Sequence, residues 1–180
     1  DEQAHDAGGH RHVSDILELL ARSRLDPPDA DRARRVFTRL AAAEAAVHGA
    51  DTAHVHLHEV GALDAVADVV GAVAGLALLG VEAVYASPLH LGSGFVECAH
   101  GRLPVPVPGV VELCRGVPCF QTDVQGELVT PTGAAIITTL AEGYGSTPPL
   151  RVDTVGYGAG RRNLTQIPNL LRLRVGTVAE

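Results

Sequence analysis

The chain has 180 residues, 46% of them hydrophobic, with 14 basic and 21 acidic side chains and a net charge of −7 with histidine neutral. That is enough apolar material for one compact domain with a sizeable core, and the acidic balance argues against a nucleic-acid surface, which needs a concentrated basic patch. Every basic residue is Arg and Met is absent, so residue 1 is not a native start and the chain reads as excised from something longer.

Residues 1–12, "DEQAHDAGGHRH", hold His5, His10 and His12 and have the composition of a flexible, histidine-rich tail; residues 13–180 read as a single globular domain. "SDILELLARSRL" is predicted helical with Ser14 as its cap, and "DPPDADRARRVFTRLAAAEAAVHG" as a second helix capped by Asp26, opened by Pro27 and closed by Gly49. Together they make an N-terminal helical hairpin. Over residues 52–58 the period changes to two, which places His54, His56 and His58 on one face of a strand.

The apolar stretch that follows is too long for a strand and is predicted to be a buried helix ending at Gly80, with Leu63, Val66, Val69, Val70, Val73, Leu76 and Leu79 in the core. It approaches a bilayer span in length, but Asp64, Asp68 and the lack of basic flanks argue against one. Beyond it, residues 81–87 read as a strand. Residues 92–109 read as a strand followed by an extended, proline-rich surface crossing. A short helix over 109–116, a strand over 117–124, a helix over 130–145 and two closing strands over 150–160 and 167–176 complete the chain. Interleaved helices and strands define an α/β or α+β class: a helical hairpin, then a mixed sheet with a long buried helix and glycine-rich loops.

Asp64 and Asp68 stand four apart, neighbours on one helix face. In a buried helix that pair needs a positive partner, either a cation or an arginine. His58 and Glu59 lie close in sequence, and with His56 they make an imidazole and carboxylate ligand set for nickel, zinc or manganese. Cys98 and His100 form a C-x-H pair suited to a soft or borderline metal, or else a buried thiol beside a satisfied imidazole. Cys114 and Cys119 read as core residues.

Thr130 can cap a helix whose first position is Pro131, leaving the amides of Thr132 and Gly133 for a phosphate or carboxylate. Gly92, Ser93 and Gly94, and the "GYGAGRR" segment ending in Arg161 and Arg162, let backbone approach a ligand, or are simply turns. The three cysteines show no C-x-x-C spacing and no signal-peptide core precedes the first helix, which favours a reducing, cytoplasmic setting.

The segments "HLHEVGALDAVADVVGA", "GSGFVECAHGRLPVPVP", "GELVTPTGAA" and "GYGAGRRNLTQIPNLLRL" resemble successive motifs of the LarC family of nickel insertion proteins. The resemblance covers nearly the whole chain and corresponds to the family's middle, without its N-terminal glycine-rich motif or its C-terminal CTP-binding domain. It implies nickel insertion into pyridinium-3,5-bisthiocarboxylic acid mononucleotide, coupled in the full-length protein to hydrolysis of CTP with Mn or Mg. The product is the nickel-pincer cofactor of lactate racemase, so that racemase or another nickel-pincer enzyme would receive it; homo-oligomerisation is expected of the full-length protein. Forming the nickel–carbon bond expels a ring proton, for which Glu59, Asp64 and Asp68 are the candidate bases. A non-catalytic nickel-holding module built on the histidines is the alternative, and a hydrolase built on Asp64 and Asp68 lacks a nucleophile.

Overall fold

The computed structural model describes residues 12–52, 63–98 and 101–179. Helix α1 (Val13–Ala21) buries Val13, Ile16 and Leu20, one stripe of an amphipathic helix. Its cap position is His12 rather than Ser14, and the His12 backbone N–H donates to Asp15 Oδ2 at 3.0 Å. Helix α2 (Pro27–His48) begins after Asp26 with Pro27 in its first turn and stops at Gly49, whose φ of 62° is left-handed and costs glycine no Cβ clash.

This second helix is the spine. Helices α1, α3 (Leu63–Leu78), α4 (Pro108–Leu113) and α5 (Pro131–Leu140) all pack on it, and its Val36, Phe37 and Leu40 are fully buried in the cluster that includes Ile16, Val69, Val73, Val110 and Leu113.

Around the helices the mixed sheet resolves into two-stranded ladders. Strand β1 (Val84–Ala86) runs parallel to β8 (Ala141–Tyr144), and β2 (Leu89–His90) parallel to β6 (Cys119–Phe120). The antiparallel pairs are β3 (Gly92–Ser93) with β7 (Gly126–Glu127), β4 (Phe95–Cys98) with β5 (Gly101–Pro104), and β9 (Leu150–Ala159) with β10 (Leu170–Val178). The mixed α/β class and the helical hairpin are as expected.

Several local expectations change. Helix α5 stops at Leu140 because residues 141–144 extend beside β1, where a side chain at Gly143 would meet the Tyr85 ring at 3.2 Å. The strand expected over 117–124 shrinks to two residues; Gln121 instead uses its side-chain amide to hold Gly92 O at 2.7 Å and Val105 O at 3.3 Å. The chain after Gly101 is not a surface crossing: β5 returns against β4, and Val105 and Val107 then enter the core. The strand expected at 52–58 lies almost wholly outside the described residues.

Helix α3 departs furthest from expectation. It buries one face, Ala65, Val66, Val69 and Val73, against α2 and α5. Leu63 is 62% exposed, and Leu79, just past its end, 53%. The physical reason is that an apolar composition permits burial on every side without requiring it. Small residues such as Ala67 and Gly71 form the middle of the outer face, and the exposed leucines lie toward its two ends. No helix among the described residues is long and apolar enough to cross a membrane.

Candidate functional site

The glycine turn at residues 92–94 is filled by the protein's own chain. Gly92, at φ 79°, lies so close to β7 that a Cβ would sit 2.0 Å from Gly126 O; at Gly94, φ 88°, it would sit 2.5 Å from Gln125 Oε1. Ser93 Oγ donates to Val124 O at 2.9 Å and accepts from Gln125 Nε2 at 3.1 Å. Gln166 closes the arrangement from the loop after β9: its Nε2 donates to Asp123 O at 3.2 Å and its Oε1 accepts the Gln125 amide at 3.1 Å. That loop carries the exposed Arg161 and Arg162. Gly92, Ser93, Gly94 and the arginine loop therefore belong to one polar cluster, tied by Gln125 and Gln166.

Nothing in the sequence marks either glutamine as a tie between segments forty residues apart. His90, next to this turn, is also absent from the sequence-based candidates. Its ring stacks on Phe120 at 4.5 Å and 13°, and Nε2 is 2.8 Å from Thr122 Oγ1.

At the start of α5 the expectation changes in part. Thr130 caps the helix, but its Oγ1 accepts the Gly133 amide at 3.2 Å, the ordinary bond of a threonine cap. One of the two amides expected to be open is thus already partnered; Thr132 is half-buried.

The carboxylates of α3 face solvent. Asp64, in the first turn, accepts the Ala65 amide at 2.9 Å, and both Asp64 and Asp68 lie on the exposed side. Among the described residues neither has an arginine partner, so the buried, arginine-paired arrangement considered from sequence is replaced by an open acidic face. At the N-terminus of a helix such charge is favoured by the backbone dipole.

Cys98 ends β4, with Sγ donating to Gly101 O at 3.3 Å. His56, His58, Glu59 and His100 lie outside the described residues, as do His5, His10 and His54. Among the described residues no group of three or more His, Cys, Asp or Glu side chains converges as a metal site. Of the two thiols expected in the core, Cys114 is buried and Cys119 exposed. Burial, reinforced by Cys119, pushes the Cys114 thiol up to about 12, which keeps it protonated and inert. Burial also raises the Tyr144 phenol.

A family model described as "Nickel insertion protein" matches residues 2–180. The chain is 55% identical over 171 residues to the pyridinium-3,5-bisthiocarboxylic acid mononucleotide nickel insertion protein of Desulfitobacterium hafniense strain DCB-2, covering 95% of this chain and 42% of that relative. The protein of the same name from strain Y51 is 54% identical, with the same coverage. The chain thus spans less than half the length of these curated relatives. No solved structure matches.

Proposed function

Because the chain belongs to the nickel insertion protein family, we propose that the protein containing it inserts nickel into pyridinium-3,5-bisthiocarboxylic acid mononucleotide. The observation behind this reading is the match across residues 2–180, together with the relatives that carry that name. Nickel is a substrate of the reaction. Two sulfur–nickel bonds form, a ring carbon gives its proton to a base and bonds the metal, and the carboxylates Glu59, Asp64 and Asp68 are the acceptors within this chain.

Support for a metal role at Asp64 and Asp68 is their solvent-facing position without an arginine partner among the described residues. His56, His58 and Glu59 immediately precede that helix in sequence and complete the ligand set, with Cys98 and His100 as a second sulfur and nitrogen pair. Arg161 and Arg162, on the rim of the polar cluster around residues 92–94, and the Thr132 amide at the start of α5 are the proposed contacts to the substrate's anionic groups. In the complete protein the reaction is coupled to hydrolysis of CTP with Mn or Mg, and the product passes to lactate racemase or another nickel-pincer enzyme. The working protein is a cytoplasmic homo-oligomer.

The test is a chimera in which this chain replaces the matching segment of the 55%-identical relative. Incubated with nickel, CTP and the mononucleotide, it is expected to yield the nickel adduct by mass spectrometry. Failure of a folded chimera under conditions where the relative itself forms the adduct would reject the proposal.

A further inference from the structure

Between α2 and α5 lies a cleft of about 500 Å³ lined by Arg34, Arg35, Thr38, Arg39, Ala42, Thr138 and Thr139. We infer that it is a binding site for a phosphate monoester, with Arg39, Arg34 and the two α5 threonines as its ligands.

Three features support this. First, positive charge is in excess. Arg34 and Arg35 share a single carboxylate, Asp31, while Arg39 has none among the described residues. The shared use is seen in Asp31 itself, held below the usual carboxylate range first by the Arg34 hydrogen bond and then by both guanidinium charges.

Second, hydrogen-bonding capacity is left over. Arg39 Nε, Thr138 Oγ1 and Thr139 Oγ1 are buried without a partner, an arrangement that native structures rarely keep without a reason. Thr38 shows the ordinary fate of a helical threonine, its hydroxyl turned back to Arg34 O at 2.9 Å. Thr138 and Thr139 make no such bond. Both residues line the cleft.

Third, the arginine is anchored. Arg39 Nη2 donates to Leu113 O at 3.0 Å, at the end of α4, so its position is set before any ligand arrives. Planar guanidinium groups beside hydroxyls suit a tetrahedral oxyanion, and the open form of the cleft leaves room for the group the phosphate is esterified to. Arg35 and Thr139 are shared with a smaller neighbouring cavity of about 180 Å³ that includes Glu82 and Glu142. The anion therefore sits on the Arg34 and Arg39 side, away from those carboxylates.

The inference does not depend on nickel insertion, and its readout contains no metal. Binding of inorganic phosphate and, separately, of nicotinic acid mononucleotide is measured by calorimetry on the whole chain at constant ionic strength, with chloride as the control. Saturable binding of either is expected, weakened about tenfold or more in the Thr138→Val/Thr139→Val double variant and in Arg39→Gln. The double variant removes only unpartnered hydroxyls, so its urea midpoint is expected to hold or rise. Tighter binding of the mononucleotide than of phosphate identifies an esterified ligand; equal binding identifies the free oxyanion as sufficient. Absence of saturable binding, or binding that both variants leave unchanged, overturns the inference.

Discussion

The two faces of α3 make opposite demands, and a pair of substitutions separates them. Val69 is fully buried against α2. Val69→Ala removes two carbons, each worth about 0.8 kcal/mol of transfer, and leaves a cavity in a helix-on-helix seam for about 1 kcal/mol more, giving about 2–3 kcal/mol in all. In urea, with a slope of about 2 kcal/mol per molar, the midpoint falls by about 1 M. Asp64→Asn/Asp68→Asn acts on the exposed face. It loses up to about 1 kcal/mol of helix-dipole stabilisation at Asp64 and recovers about 0.2–0.5 kcal/mol of like-charge repulsion. The midpoint is therefore expected to stay within about 0.5 M of the parent. Nickel titration of the same two variants completes the comparison. Val69→Ala, assayed where it is folded, keeps the parent affinity, while the double asparagine variant weakens it by at least about tenfold. Unchanged nickel affinity in the asparagine variant would refute the ligand role of these carboxylates. A stability loss as large as that of Val69→Ala would return them to the scaffold.

Gly92→Ala is expected to destabilise by at least about 2 kcal/mol in urea, because a Cβ there meets Gly126 O and the residue holds a φ of 79°. Gly71→Ala, on the open side of α3 with nothing within 4 Å of the added carbon, is expected to stabilise by roughly 0.5–1 kcal/mol, read as a rise in the same midpoint. Thr130→Ala loses the cap bond to Gly133 and about 1 kcal/mol, with Thr130→Ser restoring it. For the thiols, alkylation followed by mass mapping at pH 8.5 is expected to modify the exposed Cys119 before Cys114. The upward shift of Cys114 from 9.0 to about 12 cuts its thiolate fraction by hundreds-fold at that pH. A thiol raised on folding stabilises the native state below its unfolded value, and that contribution disappears as pH climbs from about 9 to about 12. Cys114→Ala should flatten this part of the alkaline stability profile.

What the sequence discloses and what it withholds divide along the range of the interaction. Pro27 and Gly49 bound α2 as expected, with Asp26 at the cap position but making no side-chain cap bond, and Thr130 with Pro131 opens α5, because helix ends are settled by residues within one turn of each other. The end of α5 was not legible in the same way. Its last expected turn is converted to strand by Val84–Ala86, more than fifty residues earlier in the chain, and no local propensity registers that partner. The exposure of Asp64 and Asp68 is of the same kind: their four-residue spacing puts them on one face, but only the packing of α2 and α5 decides which face is covered.

The same distinction governs how the site residues are to be read. A glycine cluster such as residues 92–94 signals that something comes close to the backbone, and the sequence cannot say whether that neighbour is a ligand or the protein itself. Here Gly126 and Gln125 occupy the space, so an anion near this cluster must be met by its rim, through the Arg161 and Arg162 loop held by Gln166. Thr138 and Thr139 present the converse. Within "AAIITTLAEG" they look like ordinary helical residues, since a threonine hydroxyl normally has its own helix carbonyl to bond. Their unused hydroxyls become visible only when α5 is packed against the arginine ridge of α2. A motif identifies residues with special local chemistry, whereas a cleft identifies residues whose chemistry is left unspent by the fold. The second criterion reaches Arg39, which no motif in this chain contains.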